Sequence, residues 1–291
     1  MTLALQLLIN AVALGAAYAL VALGFVLVLN ATAAVNFAQG DMVMAGGYAA
    51  IALAGLLPVP GIVLLPLVLV IMAALGLVVA ALAYLPLRAR PPAAVFISTI
   101  AIGVVLQNGV NLIFGAAPRS TPALFGDGAL SWGGLAIGRQ SLAVIAVAAL
   151  LIAGQSFVMA RTQFGRALRA TAQDRETARA LGIRVTAMIA ASFAIGAALA
   201  GAAGLLLANQ FFVTPSAGTD FVIKAYIAAT IGGWGSLAGA VAGAFLIAVF
   251  EVGVSAVFSY TAATAGLYIA LLAILFFRPQ GLFGEVAQRR V

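Results

Sequence analysis

Residues 30–50, NATAAVNFAQGDMVMAGGYAA, set Asn30, Asn36, Gln39 and Asp41 between two long apolar runs and crowd Gly40, Gly46 and Gly47 around them. Each of these polar groups needs a partner or water, and each glycine weakens a helix. The stretch is therefore either an ordinary loop between two spans or a break in a helix at membrane depth.

The surrounding chain supplies the membrane. Its mean hydropathy is +1.21, and only 7% of its 291 residues are charged, against about 25% in soluble domains. Apolar runs fall at roughly 3–29, 37–57, 61–87, 93–115, 140–160, 186–209, 219–233, 238–258 and 263–277. Several exceed the ~18 residues that mark a crossing helix, and none alternates as a barrel strand does. The fold class expected is all-α, a polytopic transmembrane bundle of about 8–9 spanning or half-spanning helices with at least one broken helix. Pro/Gly corners at 56–61 and 88–92 cannot continue a helix. The first run has no basic segment before it and is too long for a signal-peptide core, so it reads as a retained span.

Composition also excludes chemistries. Without cysteine or histidine, the chain cannot form disulfides, iron–sulfur clusters or an ordinary zinc site, so no metal is expected. No nucleophile–base pair or carboxylate cluster is visible, so no catalytic residues are assigned. The net charge of +7 reads as topology rather than as nucleic-acid binding, because the arginines sit between apolar runs. Arg88 and Arg90, six arginines in 161–184, and Arg289 and Arg290 mark the cytoplasmic side, whereas 116–139 is arginine-poor and faces outward. Counting back through the segments puts the N-terminus outside. A Gly-interrupted echo links 39–53 with 234–249, each running through a capping Asp41 or Ser236 into a small-residue helix.

The segment 161–185, RTQFGRALRATAQDRETARALGIRV, is expected to form one short amphipathic cytoplasmic helix stopped by Gly182. Ala167, Ala170, Ala178 and Leu181 offer it a small-residue face suited to docking. On composition alone, a solvated basic loop that only fixes topology is the favoured reading.

This segment resembles the coupling loop of bacterial ABC importer permeases of the branched-chain (hydrophobic) amino-acid branch. VNFAQGDMVMAGGY (35–48), AATIGGWGSLAGAVAGAFLIAVFE (228–251) and LFFRPQGLFG (275–284) resemble that family's other signatures, in the same order and over nearly the whole chain. Gln39 departs from a common histidine. The resemblance implies one transmembrane permease domain over 1–291, multi-pass in a bacterial inner membrane, with a cytoplasmic coupling loop at 161–185. It implies a second permease subunit (identical or paralogous), two cytoplasmic ATPase subunits and a periplasmic binding protein that delivers branched-chain or other hydrophobic amino acids. Lipid surrounds the subunit, and nucleic acid has no part. ATP belongs to the partner subunits, and the chain accordingly lacks a GxxxxGK[ST] loop and has Lys224 as its only lysine. The coupling residues assigned are Gly165, Arg166, Arg169, Ala170, Asp174, Ala178 and Gly182.

On this reading the opening stretch is an intramembrane break restarting at Asp41 as N-cap, because unwound backbone is tolerated there only when buried or facing a wet cavity. Asn36, Gln39, Gly40 and Asp41 are assigned to the translocation path, with Gln107, Asn111, Gly232, Gly233 and Gly235, and 36–41 is expected beside 232–239. For Gln107 and Asn111 interhelical hydrogen bonding is an equal alternative. Asp220 and Lys224 read as an i, i+4 pair or as snorkelling residues, and Glu251 as a hydrogen bond across helices or a gating group. Two other functions stay open. One is the same machine carrying urea, short amides or another small solute; the other is a self-sufficient channel or ion-coupled carrier using Asp41 and Glu251.

Overall fold

The computed structural model describes residues 2–57, 59–121, 123–125, 128–132, 135–278 and 280–283. Helices α1 (Thr2–Thr32), α2 (Gln39–Leu56), α3 (Gly61–Val79) and α4 (Pro92–Phe114) come first. A π-helical turn (Ala80–Tyr84) and a 3-10 turn (Leu85–Leu87) extend α3. A hairpin of β1 (Ala129–Trp132) and β2 (Leu135–Gly138) precedes α5 (Arg139–Arg161), α6 (Gln163–Gln173) and α7 (Arg175–Ala180). The chain then forms α8 (Val185–Ala208), α9 (Gly218–Gly232), α10 (Leu237–Val257) and α11 (Tyr260–Phe277).

Every apolar run read from the sequence holds a helix. Among the described residues seven are long and apolar enough to cross a membrane, which makes this a multi-pass membrane protein. The other two runs hold α2, which at 18 residues matches α11 in length but opens on the polar Gln39 and Asp41, and α9 of 15 residues, which at 1.5 Å per residue reaches only about 22 Å. Among the described residues the departures from helix include an antiparallel hairpin, paired from Ala129↔Gly138 to Trp132↔Leu135, and an isolated bridge between Arg119 and Val213. Pro122, Gly126, Asp127, Gly133 and Gly134 of that connection, Pro279, Gly284 and the Arg289–Arg290 tail lie outside the described residues.

α1 is the central post. Its apolar window is 94% buried, against 17% for α4, and α10, α8, α5 and α9 pack around it. It has no amphipathic stripe because it is enclosed on all sides, as a helix that is apolar all round must be. α2 lies against α8. The ends of the bundle are fixed by polar ties. Ser141 at the start of α5 donates to Asn10 of α1 (3.4 Å), and Arg119 pairs with Val213 through both backbone bonds (3.0 and 2.7 Å). The N-terminus, the hairpin and the 209–217 loop therefore share one end. At the opposite end Asn30 Nδ2 donates to the Gly235 carbonyl (2.8 Å), and α6 packs under α1 and α5.

Candidate translocation site

The polar stretch of the sequence is buried at a helix break. α1 stops at Thr32, whose hydroxyl turns back to the Val28 carbonyl (2.7 Å), and Ala33 takes a left-handed conformation at φ 52°. Asn36 Oδ1 then accepts from the Ala38 amide (3.2 Å), a local turn of the kind Asn makes outside helices. Thr99 of α4 holds the Phe37 amide at 3.1 Å.

α2 begins at Gln39, with Ala38 preceding it and no side-chain cap. The expected capping by Asp41 is therefore corrected: Asp41 already lies in the first turn, and its carboxylate accepts from Gln107 Nε2 of α4 at 2.8 Å. Gln39 Nε2 donates to the Gly196 carbonyl of α8 (3.0 Å). Gln39 also lies against Gly24 of α1, eight residues before the end of that helix. At 1.5 Å per residue the tip of the Gln39 side chain therefore reaches a level about 12 Å before the end of α1.

α9 starts at the same level as α2. Its first residue, Gly218, abuts the backbone and carboxylate of Asp41, and a Cβ on Gly40 would strike the Gly218 carbonyl. On the other side of the carboxylate, a Cβ on Gly103 of α4 would collide with it. Asp41 thus occupies a slot bounded by Gly103 and Gly218, where the first turns of α2 and α9 overlap and the two helices run apart toward opposite ends. Both present their N-termini, where unpaired amides carry partial positive charge. Asn36 Nδ2 and Gln39 Oε1 are buried nearby without partners.

The structure gathers only some of the assigned residues. Asn36, Gln39, Gly40, Asp41 and Gln107 come together. Asn111 does not join them and lies exposed on α4. Gly232, Gly233 and Gly235 lie at the far end of α9, so 36–41 sits beside 218–222 rather than beside 232–239. Gly232 instead abuts Gly239 of α10, and the tail docks there through Phe283 N to the Gly232 carbonyl (3.0 Å). The architectural counterpart of α2 is accordingly α9, not the start of α10, although Ser236 does cap α10 by accepting from Gly239 N at 3.0 Å.

A second polar cluster escaped the sequence reading. Lys224 of α9 does not pair with Asp220. Its Nζ meets Glu251 Oε1 of α10 at 2.7 Å, Tyr18 OH of α1 at 2.7 Å and Tyr260 OH at 3.2 Å. Tyr18 OH donates to Glu251 Oε2 (3.1 Å), so Glu251 does bond across helices. Lys224 and Glu251 are 6% and 4% exposed.

At the opposite end the 161–185 segment forms two helices, not one. Asp174 closes α6 and opens α7: its Oδ1 accepts from the amides of Glu176 (2.9 Å) and Thr177 (3.2 Å), and its Oδ2 from the Thr177 hydroxyl (2.6 Å). The Thr177 hydroxyl first, then the two amides, hold its carboxyl below the ordinary aspartate value. Thr162 caps α6 by accepting from Gly165 N (3.0 Å). Gly182, at φ +81°, ends α7 through Gly182 N to Arg179 O and Ile183 N to Ala178 O, both 3.0 Å, the paired bonds of a Schellman stop.

The face expected for docking partly turns inward. Gly165 and Ala178 are buried and Ala170 half-buried, while Leu168 packs with Leu27 of α1 and Met159 of α5. Arg166, Arg169, Asp174 and Gly182 are exposed, as is Leu181 at 74%. The inner face is apolar because it is fastened to the bundle, which leaves the charged face outward.

Comparison with known proteins places the chain among permease sequences. The chain is 33% identical over 300 residues to the high-affinity branched-chain amino acid transport system permease protein BraD of Pseudomonas aeruginosa, covering 99% of this chain and 98% of that one. It is 32% identical to the corresponding permease protein LivH of Escherichia coli K12, covering 99% of this chain and 97% of that one. A shorter match, 31% identity over 44% of this chain and 35% of the relative, is to the autoinducer 2 import system permease protein LsrC of Escherichia coli O9:H4. No solved structure matches. With residues 7–277 matched, the chain belongs to the family described as branched-chain amino acid transport system / permease component.

Proposed function

We propose that this chain is one of two permease subunits of an ATP-driven importer for branched-chain or other hydrophobic amino acids, working in a bacterial inner membrane. Residues 1–291 act as one membrane domain. Two cytoplasmic ATPases supply the energy, and a periplasmic binding protein delivers substrate to the hairpin end. The observation that carries the reading is the meeting of the α2 and α9 N-termini around Asp41, in a chain whose full-length relatives are named branched-chain amino acid permeases. Discontinuous helices with facing N-termini are what transporters use to meet a polar or anionic substrate group near the bilayer midplane.

Coupling follows from the attachment of α6 and α7. Arg166, Arg169, Asp174, Leu181 and Gly182 present the outer face to an ATPase, and Gly165, Ala170 and Ala178 hold the inner face to the bundle. Force on the outer face passes through Leu168 to Leu27, hence to α1 just before the break, and opens the path by alternating access. Uptake of labelled leucine by the complete importer in proteoliposomes, with its binding protein outside and ATP inside, tests the proposal. ATP- and binding-protein-dependent accumulation supports it; accumulation without either means a channel or self-sufficient carrier.

A further inference from the structure

A cavity of about 480 Å³ opens beside Lys224 and Glu251 and is bordered by the 209–217 loop at the hairpin end. That volume falls within the ~300–1,000 Å³ usual for small-molecule sites. Its walls divide by chemistry: Tyr18, Lys224, Glu251 and Tyr260 line one part, apolar Leu14, Phe211 and Phe221 another, and Asp220 adds an exposed carboxylate. A neighbouring cavity of about 550 Å³ shares Leu14, Phe211, Glu251 and Tyr260 with it. There Ser255, one turn beyond Glu251 on α10, has a buried hydroxyl with no partner.

We infer that this cavity is a zwitterion site, in which the ammonium and carboxylate of a passing apolar amino acid pair with Glu251 and Lys224 while its side chain lies against Leu14, Phe211 and Phe221. The inference rests on the transport function proposed above and adds residues outside the α2–α9 contact. Lys224 places its three protons on Tyr18, Glu251 and Tyr260. Of these, Tyr260 is 53% exposed at the start of α11, so it is the partner free to swing aside for a carboxylate. Glu251 Oε2 accepts only from Tyr18 (3.1 Å) and keeps a lone pair for an ammonium. The exchange turns one ion pair into an alternating set of four charges with no change in net charge. A keto acid or an amine supplies only one of the two charges: the keto acid brings no ammonium for Glu251, and the amine brings no carboxylate for Lys224. A purely structural pair is poorly explained here, since apolar replacements of a buried ion pair are often neutral or stabilising.

That contrast sets the test. The complete importer carrying Lys224→Met with Glu251→Leu is compared with wild type and with Lys224→Arg in binding-protein-driven leucine uptake. The double variant is expected to assemble and melt at or above the wild-type temperature yet take up leucine at least ten-fold more slowly, with Lys224→Arg restoring most of the rate. Uptake within two-fold of wild type in the double variant overturns the site. Should that variant fail to assemble, a reporter decides. The chain has no cysteine, so Ser216→Cys on the cavity wall can be followed by its alkylation rate at that residue. Leucine should slow alkylation at least three-fold, and 4-methyl-2-oxopentanoate and 3-methylbutylamine at the same concentration should not; equal protection by all three, or by none, overturns the inference. A wild-type importer that takes up no amino acid defeats the proposed function itself, a result distinct from any of these.

Discussion

Gly40 and Gly218 meet backbone to backbone where α2 and α9 begin, in a contact with no room for a side chain on either residue. Gly40→Val therefore forces the two helix starts apart. Overpacking of this kind costs about 1–3 kcal/mol, and here it falls where the path is proposed to run. Leucine uptake should drop at least ten-fold in the complete importer, with a lower melting temperature. Gly109→Ala is the control, because a Cβ there meets open space and an alanine favours the helix by roughly 0.5–1 kcal/mol. Equal behaviour of the two variants would show that the contact is not needed.

Gln107 supplies the side-chain hydrogen bond to the Asp41 carboxylate. Replacing it with leucine leaves a buried polar group unmatched, at about 1–3 kcal/mol. Gln107→Leu should thus destabilise more than the pair Asp41→Ala with Gln107→Leu, which removes both partners. A double-mutant cycle on thermal stability measures the coupling, and strict additivity would mean the bond contributes nothing.

Much of this site was legible in the sequence, and what was missed has identifiable physical causes. Nine apolar runs gave the helices, and Asn36, Gln39 and Gly40 marked the break because polar groups and glycine are costly in an apolar helix. The partner of the break was not visible. Gly218 and Asp220 resemble an ordinary membrane edge, and only the fold brings α9 to α2. Tyr18 sits alone in an apolar run, and Lys224 and Glu251 lie 27 residues apart, so no local periodicity connects them. The division at Asp174 was readable in principle: an aspartate followed by Glu176 and Thr177 is a helix-start signal, set inside a segment that otherwise reads as one helix.

Gly182→Val should separate hydrolysis from transport. The φ of +81° is strained for a β-branched residue, so the stop after α7 shifts while the bundle, which α7 touches only at its edge, stays folded. ATPase activity should persist and uptake fall at least five-fold. Normal coupling in this variant would remove the segment from the transmission route.

The Asp174 cap should be insensitive to physiological pH. Its carboxyl titrates below the unfolded value, about 3.9. The stability it confers is therefore fully present above that value and is lost as pH falls through the lower, folded one. Between pH 5 and 8 the cap should not weaken, whereas Asp174→Ala should speed hydrogen exchange at Glu176 and Thr177 at every pH in that window. Unchanged exchange in the variant would contradict the capping role.

The N-terminus, the hairpin and the 209–217 loop should all face the periplasm. Ser131→Cys, the single cysteine in an otherwise cysteine-free chain, should react with a membrane-impermeant maleimide added outside intact cells. Reaction only after the cytoplasmic face is opened would invert the topology.

The central claim is that the polar break lies inside the membrane, where two helices meet at the path. Electron cryo-microscopy of the complete importer in a lipid nanodisc measures this directly, as the position of Asp41 relative to the two headgroup layers. The account predicts Asp41 and Gly218 in contact between those layers. Finding residues 36–41 beyond the headgroups as a solvent-exposed turn, with α9 elsewhere, would contradict it.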